Sequence, residues 1–145
     1  MKIYQEADYS AISRRAADMI AGEIICKPDC VLGLATGATP IGAYEELTAR
    51  YRQGAFSFQK VRTVNLDEYK GLEPTHPKSY RHFMEEHLFS QIDVDPANTY
   101  LPNGLAPDAD AECARYDALL ASLGYADLQV LGLGRNGHIG FNEPG

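Results

Sequence analysis

Apolar residues in this chain recur at helical spacing, then in a short unbroken run, then at helical spacing again, and the alternation continues to the end. Few folds accept such a pattern. Val31-Leu32-Gly33-Leu34 is a short unbroken apolar run, as a strand buried on both faces would be, and Val61–Leu66 and Leu128–Leu133 read as further strands. Asp8 is placed to cap a helix running to about Ile25, with Ile12, Ala16, Met19, Ile20, Glu23 and Ile24 spaced to form one mostly apolar face. Further helices are predicted from Pro40 to about Arg52, from Pro77 to about Phe89 and from Asp108 to about Leu123, where Gly124 ends the last. Lys2–Gln5 reads as a short first strand, and the Pro/Asn/Gly-rich stretch Asp93–Pro107 as a connection holding one short strand near Tyr100. Strand and helix in alternation predict an α/β fold around a mostly parallel sheet. With no repeat, linker or low-complexity tract, residues 1–145 are expected to be one domain.

An α/β sheet binds ligands beyond the carboxyl ends of its strands, so the chemistry-bearing motifs should sit there, and three do. Composition restricts what they can bind. Acidic residues number 20 against 13 lysines and arginines, a formal charge of −7, which argues against nucleic acid or an anionic membrane as the main partner. A small phosphate ester in a local pocket stays compatible with that balance. No apolar run approaches the roughly 20 residues of a spanning helix, and the first residues lack the apolar core of a secretory signal, so the expected setting is cytoplasmic. Cys26, Cys30 and Cys113 are an odd set without a second Cys/His pair, so they read as thiols and no metal site is expected.

The first motif is Ala35-Thr36-Gly37-Ala38-Thr39-Pro40, between a strand and a helix. Thr39 suits the N-cap and Pro40 the first helical position. The amides and hydroxyls of Thr36, Gly37, Ala38 and Thr39 with the positive helix end could cradle a phosphate, or the segment could be an ordinary capped turn. It lacks the Gly-Lys-Ser/Thr ending of a Walker loop.

In the second, Asn65-Leu66-Asp67-Glu68-Tyr69, a strand runs into two adjacent acids. Extended residues alternate in direction, so Asp67 and Glu68 should face different ways, one toward a cleft and one toward structure or solvent. A carboxylate at a strand end can remove a proton beside a carbonyl, or it can cap a turn or pair with a cation. His76, in the loop that follows, is read as a loop or cap residue.

The third motif spans Gly132 to Gly145 and centres on His138. Gly132, Gly134 and Gly137 satisfy G-x-G-x-x-G, but a dinucleotide fingerprint belongs on a first strand and opens a helix. Here it follows a late strand, and Gly140, Pro144 and Gly145 are poor helix material. Histidine is the side chain type suited to proton exchange near neutral pH, Gly137 allows close backbone approach to a ligand, Glu143 could orient the imidazole and Asn136 could bond the ring or the substrate. The alternative is a structural or exposed loop histidine. Together the motifs supply an anion cradle, a carboxylate base and a histidine acid/base, an inventory for proton transfer on a phosphorylated small molecule.

At these residues the sequence resembles the glucosamine-6-phosphate deaminase (isomerase) family. The resemblance rests on Leu32–Ile41, Val64–Leu72, His76–Tyr80 and Gly132–Pro144, which occur in the family's order across nearly the whole chain. It implies a modified Rossmann-like, three-layer fold and the conversion of glucosamine 6-phosphate and water to fructose 6-phosphate and ammonia, with no metal or organic cofactor. It also implies that His138 promotes ring opening with Glu143 and Asn136, that Asp67 moves a proton between C2 and C1, and that Thr36–Thr39 hold the phosphate. Many relatives carry aspartate at position 136; asparagine keeps a hydrogen bond but drops a charge, which predicts a less basic His138. Family members run on well past Gly145. The chain is therefore expected to be an N-terminal portion, with an uncovered sheet edge, an incomplete pocket and weak or no turnover on its own. A 6-phosphogluconolactonase-like hydrolase would follow its histidine with a Ser-Leu-Phe-Pro type segment rather than Phe141-Asn142-Glu143-Pro144. A sugar-phosphate sensor would need the cradle but not Asp67, His138 and Glu143 together. Whether the protein is a homo-oligomer is left open by the sequence.

Overall fold

Val31–Leu34 is buried at every position, as an apolar run must be when it crosses the centre of a sheet. In the computed structural model, which describes residues 1–145, it is strand β1 of a four-stranded parallel sheet. The elements follow as α1 (Tyr9–Cys26), β1 (Val31–Leu34), α2 (Ile41–Arg52), β2 (Arg62–Asn65), α3 (Tyr80–His87), β3 (Thr99–Tyr100), α4 (Ala109–Leu123) and β4 (Leu128–Gln129). Short 3₁₀ turns occupy Phe89–Gln91 and Pro96–Asn98. The strand order is β3-β2-β1-β4. The chain moves outward from β1 to β2 to β3, then returns past β1 to lay β4 on its other side. Such a reversal opens a crevice at the carboxyl ends of β1 and β4, because the connections on either side of it leave in opposite directions.

Helix α1 packs on α2, and α2 touches α3. Crossovers of the usual right hand carry α2 and α3 over one face and α4 over the other, because the chain reverses direction across the sheet between β3 and β4. Under α1 and α2, Ile20, Ile24, Leu32, Leu34, Tyr44 and Leu47 form the core with Phe58 and Met84. On the α4 face the anchor is Tyr116, whose hydroxyl lies 2.8 Å from the Asn65 carbonyl and 3.0 Å from that of Tyr100. The Asn65 amide reaches across to the Leu34 carbonyl at 3.1 Å. The ends of β1, β2 and β3 are thereby tied together just where the motifs leave the sheet.

Local expectations are corrected in several places. The Lys2–Gln5 segment forms no strand; its residues are exposed and no neighbouring strand offers them a ladder. Helix α1 starts after Asp8, whose carboxylate accepts from the Ala11 amide at 2.7 Å, but its buried face is Ser13, Ala17, Ile20, Ala21 and Ile24. Ile12 and Met19 are exposed, because the small side chains at 13, 17 and 21 allow α2 to approach more closely than a larger apolar row would. Helix α3 starts at Tyr80 rather than Pro77, with Ser79 as its N-cap. The last strand pairs only over Leu128–Gln129, and its outer edge is unpaired. Leu131, Leu133, Ile139 and Phe141, in the segment that follows this strand, are exposed.

Candidate active site

The crevice at the reversal is a cleft of about 220 Å³ lined by all three motifs: Thr36–Thr39 after β1, Asp67 after β2, and Gly132, Gly134, His138 and Gly140 after β4. The first of these segments presents its backbone. The amides of Thr36, Gly37, Ala38 and Thr39 donate to no other group of the protein. An anion entering the cleft would therefore meet unspent N–H donors beside the start of α2. Thr39 is not the helix cap. Pro40 holds that position with no side-chain bond, and the Gly42 amide is received instead by the Tyr9 hydroxyl at 2.9 Å.

Asp67 and Glu68 diverge, as alternation along an extended segment requires. Glu68 turns to α3, accepting from the amides of Tyr80 (2.9 Å), Arg81 (2.9 Å) and Tyr69 (2.8 Å). Ser79 Oγ accepts from the His82 amide at 3.0 Å and the Ser79 carbonyl from that of Phe83 at 3.1 Å, so each of the first four helix donors has a partner. Glu68→Ala frees two of them, and is expected to lower stability by about 1–3 kcal/mol in a denaturant melt. Unchanged stability would show that water replaces the carboxylate at no cost.

Asp67 faces the cleft, half-buried. Burial pushes its carboxyl above the ordinary value of 3.8, the neighbouring Glu68 charge raises it further, and the Phe141 amide offsets part of the rise. That amide contact also docks the third motif onto the second. Phe141 completes the docking by stacking on Tyr80 (centroids 5.5 Å apart) and packing at 5.0 Å from Tyr69. Tyr80 is the site residue that sequence reasoning left without a role. Its ring lines the cleft and its hydroxyl meets the side chains of Thr36 and Tyr69. Burial holds that phenol above its usual range, so at neutral pH it is a hydrogen-bond donor. Its place in the His76–Tyr80 segment was the available signal.

Around His138 a chain of contacts specifies the proton positions. Glu143 Oε2 accepts from Asn136 Nδ2 at 2.6 Å, and Asn136 Oδ1 lies 2.6 Å from His138 Nδ1. A carboxylate only accepts, so Asn136 must turn its NH₂ toward Glu143 and its carbonyl toward the ring. In the neutral imidazole the proton then sits on Nδ1, leaving Nε2 as the basic nitrogen. Glu143 does not touch the ring and reaches it through Asn136. An aspartate at position 136 would have no N–H for Glu143 and would set two carboxylates together, so the asparagine is what makes this relay work. Asn136 and Glu143 are exposed and lie outside the cleft wall. Gly137 was expected to touch substrate. It lies outside the wall too: its amide donates to the Gly134 carbonyl at 2.9 Å, and its φ of +89° serves the turn that swings His138 back over Gly134.

A family model described as glucosamine-6-phosphate isomerases/6-phosphogluconolactonase matches residues 5–140. The chain belongs to this family. Within it, the glucosamine-6-phosphate deaminase of Geobacillus sp. (strain WCH70) is 57% identical over 145 residues, all of this chain and 58% of that protein. That of Lachnoclostridium phytofermentans is 55% identical over 144 residues, 99% of this chain and 61% of that protein. Among solved structures, a monomeric glucosamine-6-phosphate deaminase superposes with a TM-score of 0.97 at 50% identity, covering 100% of this chain and 60% of that one. The 6-phosphogluconolactonase from Thermotoga maritima superposes at 0.77 with 19% identity, covering 97% of this chain and 62% of that one, a likeness of fold. The chain thus spans 58–61% of the length of the curated relatives described, and all of it falls on the sugar-phosphate isomerase/lactonase fold.

Proposed function

We propose that the protein is a glucosamine-6-phosphate deaminase, converting glucosamine 6-phosphate and water to fructose 6-phosphate and ammonia. The observation that carries the reading is the convergence of Asp67, the His138 ring and the unspent amides of residues 36–39 on one cleft. In this reading Thr36–Thr39 grip the phosphate, which turns binding energy at a non-reacting group into orientation of C1 and C2. His138 Nε2 takes the proton from the anomeric hydroxyl and returns it to the ring oxygen as the sugar opens. Asp67 removes the C2 proton while a proton passes from the substrate's ammonium group to O1, giving a neutral enolamine, and Asp67 then delivers its proton to C1. The resulting C2 iminium adds water and breaks to ketone and ammonia. Every step is a proton transfer or a hydration, so no organic cofactor is called for. Such sugar-phosphate chemistry supports a role in amino-sugar metabolism, with the cytoplasm, where phosphorylated sugars are kept, as the proposed setting.

Two features favour this reaction over lactone hydrolysis. The relatives at 50–57% identity described above are deaminases, while the lactonase described shares 19%. The residues after His138 also include Glu143, whose carboxylate sets the Asn136 amide as described. The test is product release from glucosamine 6-phosphate by the natural full-length protein. Ammonia and fructose 6-phosphate are expected in equal amounts, with no acceleration of 6-phosphogluconolactone hydrolysis. Lactone hydrolysis without ammonia, or tight sugar-phosphate binding without turnover, would overturn the proposal in favour of a lactonase or a sensor. The 145 residues alone are expected to turn over weakly or not at all, because the apolar side chains at 131, 133, 139 and 141 stand exposed beside the cleft.

A further inference from the structure

Tyrosine hydroxyls hold both ends of the loop that carries the unspent amides. At its start, Tyr44, fully buried, receives the Ala35 amide at 3.1 Å and donates to the Ala35 carbonyl at 2.6 Å. At its end, the Tyr9 hydroxyl lies 3.0 Å from each of the Ala38 and Thr39 carbonyls and receives the Gly42 amide at 2.9 Å. Tyr44 reaches back from α2, and Tyr9 reaches over from the first residue of α1, about 30 residues upstream.

The geometry of the peptide unit gives these contacts a direction. In a trans peptide the carbonyl and the N–H point opposite ways. Anchoring the Ala38 carbonyl toward α1 therefore turns the Thr39 N–H the other way, and Thr39 is part of the cleft wall. Tyr9 also takes the Gly42 amide, a role that Pro40 at the N-cap leaves open. Nothing else bonds the Ala38 or Thr39 carbonyls, so without the hydroxyl this peptide is free to rotate. The close approach that makes the contact is built in: a Cβ on Gly42 would lie 2.9 Å from Cε1 of Tyr9 and 2.5 Å from Ser13 Oγ.

We infer that Tyr9, with Tyr44 as its counterpart at the other end, is a positioning residue that holds the residue 36–39 amides open toward a phosphate group. The inference rests on the proposed sugar-phosphate reading of the cleft and adds residues, on α1 and inside α2, that touch no substrate. Tyr9 is the better probe. It is half-exposed, so Tyr9→Phe keeps the ring packing and lets water satisfy the freed groups, whereas Tyr44→Phe would orphan two buried ones.

The experiment is equilibrium titration of the natural full-length protein with inorganic phosphate and with glucosamine 6-phosphate, alongside thermal melts. Tyr9→Phe is expected to weaken both ligands about 3- to 10-fold, the worth of one net hydrogen bond, and the loss in kcat/KM should fall on KM. Gly42→Ala, which displaces Tyr9 without removing its hydroxyl, should weaken phosphate in the same direction. Phosphate affinity equal to wild type in both variants, whatever happens to Tm, would reduce Tyr9 to a structural role and overturn the inference while leaving the cradle intact. A wild-type protein that binds neither ligand would sink the cradle itself and the inference with it.

Discussion

Asp67→Asn is expected to lower kcat for glucosamine 6-phosphate by about 10²- to 10⁴-fold, the usual worth of a positioned base. Substrate binding should be nearly retained, because the residue 36–39 loop is untouched. Asparagine keeps the shape of aspartate, and its carbonyl can still receive the Phe141 amide that docks the third motif. The pH dependence separates loss of chemistry from loss of fold. A base must be ionised, and burial beside Glu68 raises this carboxyl above 3.8. The acidic limb of kcat/KM should therefore rise through a pKa above the usual aspartate value, with activity gained as pH increases. For stability the sign runs the other way. A carboxyl whose folded-state pKa is raised favours the folded state most below its unfolded pKa, and that advantage is lost as pH climbs through the folded value. At neutral pH the wild type bears the cost of a half-buried charge, so Asp67→Asn should be no less stable there. A variant that is both folded and fully active would remove Asp67 from the mechanism.

His138→Gln should cost a comparable factor, about 10²- to 10⁴-fold in kcat, by removing the group proposed to open the ring. The relay behind it makes a sharper claim. Glu143→Gln replaces a pure acceptor by an amide that can also donate, so Asn136 is no longer forced to show its carbonyl to the imidazole. Imidazole tautomers should then mix, and kcat should fall on the order of ten-fold, one hydrogen bond's worth. Nitrogen NMR of the ring reads the tautomer directly: Nδ1–H in the wild type, a mixture in Glu143→Gln. An unchanged tautomer in the variant would mean that the ring is oriented by something other than Asn136.

Much of this was legible before any coordinates. Asp8 could be recognised as a cap because capping is a contact between residues three apart, and it accepts from the Ala11 amide. The opposite destinations of Asp67 and Glu68 followed from strand geometry, which needs no knowledge of the partner. Other features were hidden because their causes lie far along the chain. Thr39 looked like a cap, yet the helix it precedes is served by Tyr9, which no local pattern couples to position 42. The face of α1 differs from the apolar count, which favoured Ile12 and Met19, because close packing against Gly42 favours Ser13. Lys2–Gln5 had strand character but no strand to join.

From α1 onward, the order of elements, the parallel sheet and the placement of three motifs at strand ends were determined by the sequence alone, as were the residue types those motifs carry. These depend on local periodicity and on the general rule that open α/β sheets bind beyond their carboxyl ends. Only the tertiary structure decided which groups those motifs turn toward the cleft. It put Tyr80 on the cleft wall, left Gly137 outside it, linked Glu143 to the ring through Asn136, and gave Tyr9 and Tyr44 the ends of the residue 36–39 loop. The reason is physical: a hydrogen bond depends on the meeting of two groups in space, and a chain records each group without recording where the other will be.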